Sequence, residues 1–100
     1  MAIEFKGKQP APFSLMRIDV SFELTPNLVA PVEKALSAYV DHPQVSTEIV
    51  TCGYQNGRMT LELVYFSADG GVKNELAWLH KAVQNVVVPV PVFTVQIRED

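Results

Sequence analysis

Thr47-Glu48-Ile49-Val50-Thr51-Cys52-Gly53-Tyr54-Gln55-Asn56-Gly57-Arg58-Met59-Thr60-Leu61-Glu62-Leu63-Val64-Tyr65-Phe66 is the stretch on which the fold turns. Two alternating runs, about 45–54 and 58–67, flank Asn56-Gly57. Asn-Gly suits the type I′ turn, which needs positive φ at both central residues and joins two antiparallel strands. A two-residue loop sets the register, so Tyr54 is expected opposite Met59, Cys52 opposite Leu61 and Val50 opposite Leu63. Those six residues share one face, which helices should cover. The other face would pair Ile49 with Val64 and Thr47 with Phe66, an apolar end on a surface that also carries Thr51, Thr60 and Glu62.

Upstream of this hairpin, Met16, Ile18, Val20, Phe22 and Leu24 alternate with Arg17, Asp19, Ser21 and Glu23. That period of two over about 14–24 predicts a strand with one apolar and one strongly polar face. Thr25-Pro26-Asn27 then offers helix-start chemistry. A helix is expected to about Asp41, burying Leu28, Val32, Ala35, Leu36, Tyr39 and Val40, and to stop at His42-Pro43. Downstream, Asp69 caps a second helix over about 72–85, eased by Gly70-Gly71, with Val72, Leu76, Leu79 and Val83 as its buried stripe. Phe93, Val95 and Ile97 alternate in a last strand, which the preceding Pro89 and Pro91 assign to a sheet edge. Residues 1–12 read as an extended arm or tail: Ile3 and Phe5 alternate with charge, and Lys6 to Pro12 is a connector. Residues 13–100 make one α+β domain.

The order β-α-β-β-α-β over about 14–98, with two helices on one face of a four-stranded antiparallel sheet, resembles the ferredoxin-like fold. The resemblance is one of pattern. In that topology the first and third strands are central and the second and fourth are edges.

Composition narrows function by exclusion. The chain has 100 residues, 48% hydrophobic and 19% charged, where an average domain carries about 25% charge. So small a chain hides that much apolar surface poorly, which favours a homo-oligomer, a dimer first, or a protein partner. The net charge of −3 disfavours nucleic acid and anionic membranes, both of which select basic faces. The segment 57–66 also lacks the aromatic and glycine pattern of RNA-recognition domains of this fold, and Glu62 would repel phosphate. No apolar run approaches the roughly 20 residues of a bilayer span, no signal peptide is visible and the single Cys52 has no intramolecular partner, so a cytoplasmic location is expected. Cys52 is expected to face the core.

The open sheet face would collect Arg17, Asp19, Ser21 and Glu23, then Glu62, Val64 and Phe66, then Thr94, Gln96 and Arg98. Ile49, Val64, Phe66 and Thr47 are the candidate interface. Arg17, Asp19, Glu62 and Arg98 are candidate ligand contacts, since acids and bases on one surface could hold a polar ligand. Trp78 and His80 are further candidates beside the second helix's stripe, although two positions apart they point in divergent directions. Two histidines and one cysteine far apart show no metal spacing, and no catalytic constellation or cofactor motif is present. Two functions follow as expectations. One is a non-enzymatic binding or assembly module that self-associates through the open sheet face. The other is a dimeric ferredoxin-like enzyme or sensor with a small molecule between helices and sheet.

Overall fold

A computed structural model describes residues 3–6, 15–42, 45, 47–66 and 72–99. The connector over 7–12, the Pro43 stop, the Asp69 cap and the Gly70-Gly71 turn lie outside the described residues. Seven elements follow in order: β1 (Ile3–Lys6), β2 (Leu15–Glu23), α1 (Val29–Val40), β3 (Thr47–Gln55), β4 (Arg58–Phe66), α2 (Val72–Gln84) and β5 (Phe93–Glu99). A short 3-10 turn over Pro26–Leu28 leads into α1. Pro31 therefore sits in the first turn of the α-helix, where its missing N–H has no helical acceptor to lose.

The strands form one five-stranded sheet in the order β1-β5-β2-β4-β3. Neighbours are antiparallel except β1, which runs parallel to β5 with Ile3 opposite Phe93 and Phe5 opposite Val95. This corrects the expected four-stranded antiparallel ferredoxin-like sheet: the sheet is mixed and has a fifth strand. The physical reason is the free edge of β5. Ile3 and Phe5 find there both a backbone ladder and a place against the core, with Glu4 and Lys6 turned outward. β5 is thereby an inner strand, and its prolines fall in the preceding loop rather than on an edge. The Val88–Pro89 peptide in that loop is cis.

The core is one layer deep between sheet and helices. Ile18, Val20 and Phe22 of β2, Met59, Leu61 and Leu63 of β4, and Phe93, Val95 and Ile97 of β5 meet Val32 and Leu36 of α1 and Leu76, Leu79 and Val83 of α2. All alternate in phase, so both helices cover one face of the sheet and leave the other bare. Phe22 and Phe93 stack at its centre, ring centroids 4.9 Å apart.

The hairpin turns as expected, with Asn56 at φ 54° and Gly57 at φ 77°. Its register holds for Tyr54 opposite Met59 and Cys52 opposite Leu61, then changes. A bulge between Ile49 and Thr51 puts Ile49, not Val50, opposite Leu63, and Thr47 opposite Tyr65. Beyond it the faces exchange. Thr47 becomes buried and Ile49 packs against the core, while Val50 stands 52% exposed. Cys52 keeps its expected partner Leu61 yet is exposed, on the edge strand β3 of the sheet. Its thiol is pushed up by partial burial and by the Glu33 carboxylate of α1.

Candidate functional site: the open face of the sheet

The bare face reads as rows running across the strands. One row joins Lys6, Gln96, Asp19, Glu62 and Thr51. The next joins Glu4, Thr94, Ser21, Thr60 and Gly53. Between Glu4 and Gly53 the latter holds three short hydroxyl side chains, Thr94, Ser21 and Thr60, so the surface dips between taller charged neighbours. A shallow hollow of about 360 Å³ lies there, lined among others by Lys6, Asp19, Ser21, Thr60, Glu62 and Thr94.

Arg98 organises the charge. Its register partner on β2 is Arg17, and it reaches the diagonal neighbour instead. Nε lies 2.9 Å from Asp19 Oδ2 and Nη2 donates to Asp19 Oδ1 at 3.0 Å. The same Nη2 donates to Glu62 Oε2 at 3.3 Å. One guanidinium thus ties β5, β2 and β4 together and offsets the repulsion between two neighbouring carboxylates. At the hairpin end of the face, Arg58 Nη2 donates to Ser21 Oγ at 3.2 Å, with Nη1 3.8 Å from Glu23. These groups are part-exposed, so each pair adds at most about 1 kcal/mol to stability. What they fix is geometry: a charged surface whose side chains are already oriented.

The ligand candidates divide between the two sides of the sheet. Arg17, Asp19, Glu62 and Arg98 are gathered on the open face, whereas Trp78 and His80 lie on α2 across the core. His80 is buried, its Nε2 2.7 Å from the Pro91 carbonyl and its ring edge-on to Phe93 at 4.9 Å. A carbonyl only accepts, so Nε2 carries the proton and the imidazole anchors the loop before β5. Trp78 is 48% exposed. The interface candidates divide as well. Val64 sits half-buried on the open face between Arg17 and Glu48 in register. Thr47 and Ile49 are turned inward by the bulge. Phe66 pairs with Leu15 in the ladder, and its side chain lies outside the described residues.

A second polar group escaped the sequence reading. Glu75 on α2 is only 7% exposed, and its Oε1 accepts a hydrogen bond from Thr47 Oγ1 at 3.0 Å. The Tyr39 hydroxyl donates to the Glu75 backbone carbonyl at 3.0 Å. Burial, and next the nearby Glu75 carboxylate, raise the Tyr39 hydroxyl well above its ordinary range. Glu75 lies one position before Leu76 and His80 one after Leu79, so each flanks the apolar stripe by about 100°. Only the bulge, by turning Thr47 inward, brings the partner that makes burial of Glu75 tolerable. The described residues leave no buried side-chain polar atom without a partner. The cluster clamps α1, α2 and β3 together and is closed to solvent.

Among the described residues no three His, Cys, Asp or Glu side chains are placed to hold a metal ion. No described helix is long and apolar enough to cross a membrane. Searches against protein-family models, curated proteins and solved structures each gave no match.

Proposed function

We propose that this chain is a binding or assembly module that works through the open face of its sheet, with a second copy or another protein seated across β5, β2 and β4. The observation that carries the reading is the Arg98–Asp19–Glu62 cluster beside a trough of hydroxyl side chains, on a face that neither helix covers. Pre-oriented charges around a low, hydroxyl-lined row favour a partner that supplies hydrogen bonds and shape, because little side-chain entropy remains to be lost. The bulge removes Thr47 and Ile49 from that face, and among the described side chains Val64 is left there half-buried between charged neighbours. The surface therefore suits a polar, salt-sensitive contact more than an oily one.

The test is sedimentation velocity on the wild type, Thr60→Arg and Arg98→Glu, at low and high salt. Both substitutions lie on the bare face and should leave the circular dichroism spectrum unchanged. The reading expects a wild-type assembly, or a complex with a native partner, that weakens with salt and is lost in both variants. An assembly or complex that tolerates both substitutions would remove the open face from the account.

A further inference from the structure

Among the described residues no strand pairs with the outer side of β3, which ends the sheet opposite β1. The phase of the neighbouring ladder fixes which of its backbone groups point outward. The Leu24 N–H donates to the Gly57 carbonyl at 2.9 Å, so the hydrogen-bonded pairs of β2 and β4 continue at Phe22–Met59 and Val20–Leu61. Met59 and Leu61 thus turn their backbone groups to β2. Their β3 partners, Tyr54 and Cys52, turn theirs away from the sheet. Two N–H and two C=O groups stand there at strand spacing. Native sheets blunt such edges with short strands, charge or proline. β1 at the other end follows that rule, with four residues and the exposed Glu4 and Lys6. β3 does not: it has nine residues, Glu48 is its only charge, and Ile49 to Gln55 holds neither charge nor proline. The bulge between Ile49 and Thr51 interrupts its first half and leaves the stretch from Thr51 to Gln55 regular.

We propose that β3 of one copy pairs antiparallel with β3 of a second copy about a two-fold axis at Gly53. The outward groups of a strand complement those of its own copy turned about such an axis, so β3 itself supplies the segment that matches this edge. Centred on Gly53, the pairing exchanges hydrogen bonds between Cys52 of one copy and Tyr54 of the other and uses all four groups. Centred on Cys52 it would run into the bulge, and centred on Tyr54 into the Asn56-Gly57 turn. Charge favours the same partner. Antiparallel pairing lays the Glu48 end of one strand towards the other copy's hairpin end, where Arg58 pairs with Gln55, so unlike charges flank both ends of the seam. The edge is also ordered in advance, since the Tyr54 hydroxyl donates to the Leu24 carbonyl of its own chain at 2.6 Å. Such a contact joins two sheets edge to edge and closes at a dimer. It is independent of the open-face reading, because it uses the rim of the sheet and leaves that face bare.

Substitutions at Gly53 probe the axis without disturbing the fold. The residue has no positive φ, and a Cβ added there meets only Thr60 Oγ1, at an ordinary 3.6 Å. Across the axis the two Gly53 residues form a non-hydrogen-bonded pair with Cα atoms about 4.5 Å apart, within the span a disulfide bridges. Sedimentation equilibrium of the full chain from about 1 to several hundred µM measures the association of the wild type, Gly53→Lys and Gly53→Glu. The expected result is a wild-type dimer and roughly fivefold weaker dimerisation of either variant, because like charges then face each other. An equimolar mixture of the two should recover the wild-type affinity, since the charges facing across the axis are then unlike. On mild oxidation Cys52→Ser/Gly53→Cys should give a disulfide-linked dimer, whereas wild-type Cys52, set opposite Tyr54 of the other copy, should not. Four results overturn the proposal: a wild type that stays monomeric, a dimer that keeps its affinity in both charged variants, a mixture that recovers nothing, or oxidation that links the wild type as readily as the double variant. A dimer lost in Arg98→Glu but intact in the Gly53 variants would overturn the edge pairing and leave the open-face reading standing.

Discussion

Replacing Thr47 and Thr51 in turn by valine tests the bulge, and with it the division of β3 between the two faces. Thr47 is 6% exposed and donates to the Glu75 carboxylate at 3.0 Å, whereas Thr51 lines the open hollow. A hydrogen bond to a charged group contributes roughly 1.5–3 kcal/mol. Valine puts a methyl where the hydroxyl was and recovers up to about 0.8 kcal/mol by burying it. Thr47→Val should thus cost about 1–2 kcal/mol, which in a domain of this size lowers Tm by about 4–16 °C. Thr51→Val should stay within about 0.5 kcal/mol of the wild type. Urea titrations followed by circular dichroism measure both, and an unchanged slope against urea would show that the denatured state is not responsible. A cycle with Glu75→Gln should show that most of the Thr47 cost vanishes once the carboxylate is gone. The unbulged hairpin places Thr47 on the open face. A neutral Thr47→Val would return the strand to that register and refute the reasoning.

Two further outcomes follow from single positions. Gly57→Ala meets no atom within 4 Å, so its cost is the backbone strain of a side chain at φ 77°, about 1–2 kcal/mol by urea titration. Tyr39 gives a pH dependence. Its hydroxyl is raised in the folded chain, so the folded state keeps this proton after the unfolded state has released it at about pH 10. The stabilisation is complete below pH 10 and declines as pH rises above it. Tyr39→Phe should show a shallower alkaline fall of Tm than the wild type; equal slopes would mean that Tyr39 is not the group concerned.

How far the fold could be read depended on how many residues carried each signal. Strand β2 alternates over nine positions and turned out as a central strand with its apolar side inward. The Asn56-Gly57 turn and the stripes of α1 and α2 were equally plain, since each rests on several residues in one phase. β1 was not, because two apolar residues in four cannot separate a sheet strand from a tail; what decides it is the free edge of β5, a tertiary fact. The bulge left a faint trace. Ile49 and Val50 are apolar neighbours, so the phase set by Val50, Cys52 and Tyr54 breaks between them. Reading that break as an irregularity would have turned Thr47 and Ile49 inward. Of the proposed open-face residues, Arg17, Asp19, Glu62 and Arg98 were legible because each alternates with a core residue. Glu75 and His80 were not, since burial of a polar side chain depends on a partner from another element: Thr47 for one, the Pro91 carbonyl for the other.

The account rests most on the claim that the bare sheet face is where a partner sits. Amide chemical shifts of the full chain, compared between dilute and concentrated samples and then with Thr60→Arg, address it directly. The account predicts concentration-dependent shifts at Asp19, Ser21, Thr60, Glu62 and Gln96 that disappear in the variant. Amides that hold their positions at every concentration, and on addition of a native partner, would contradict it.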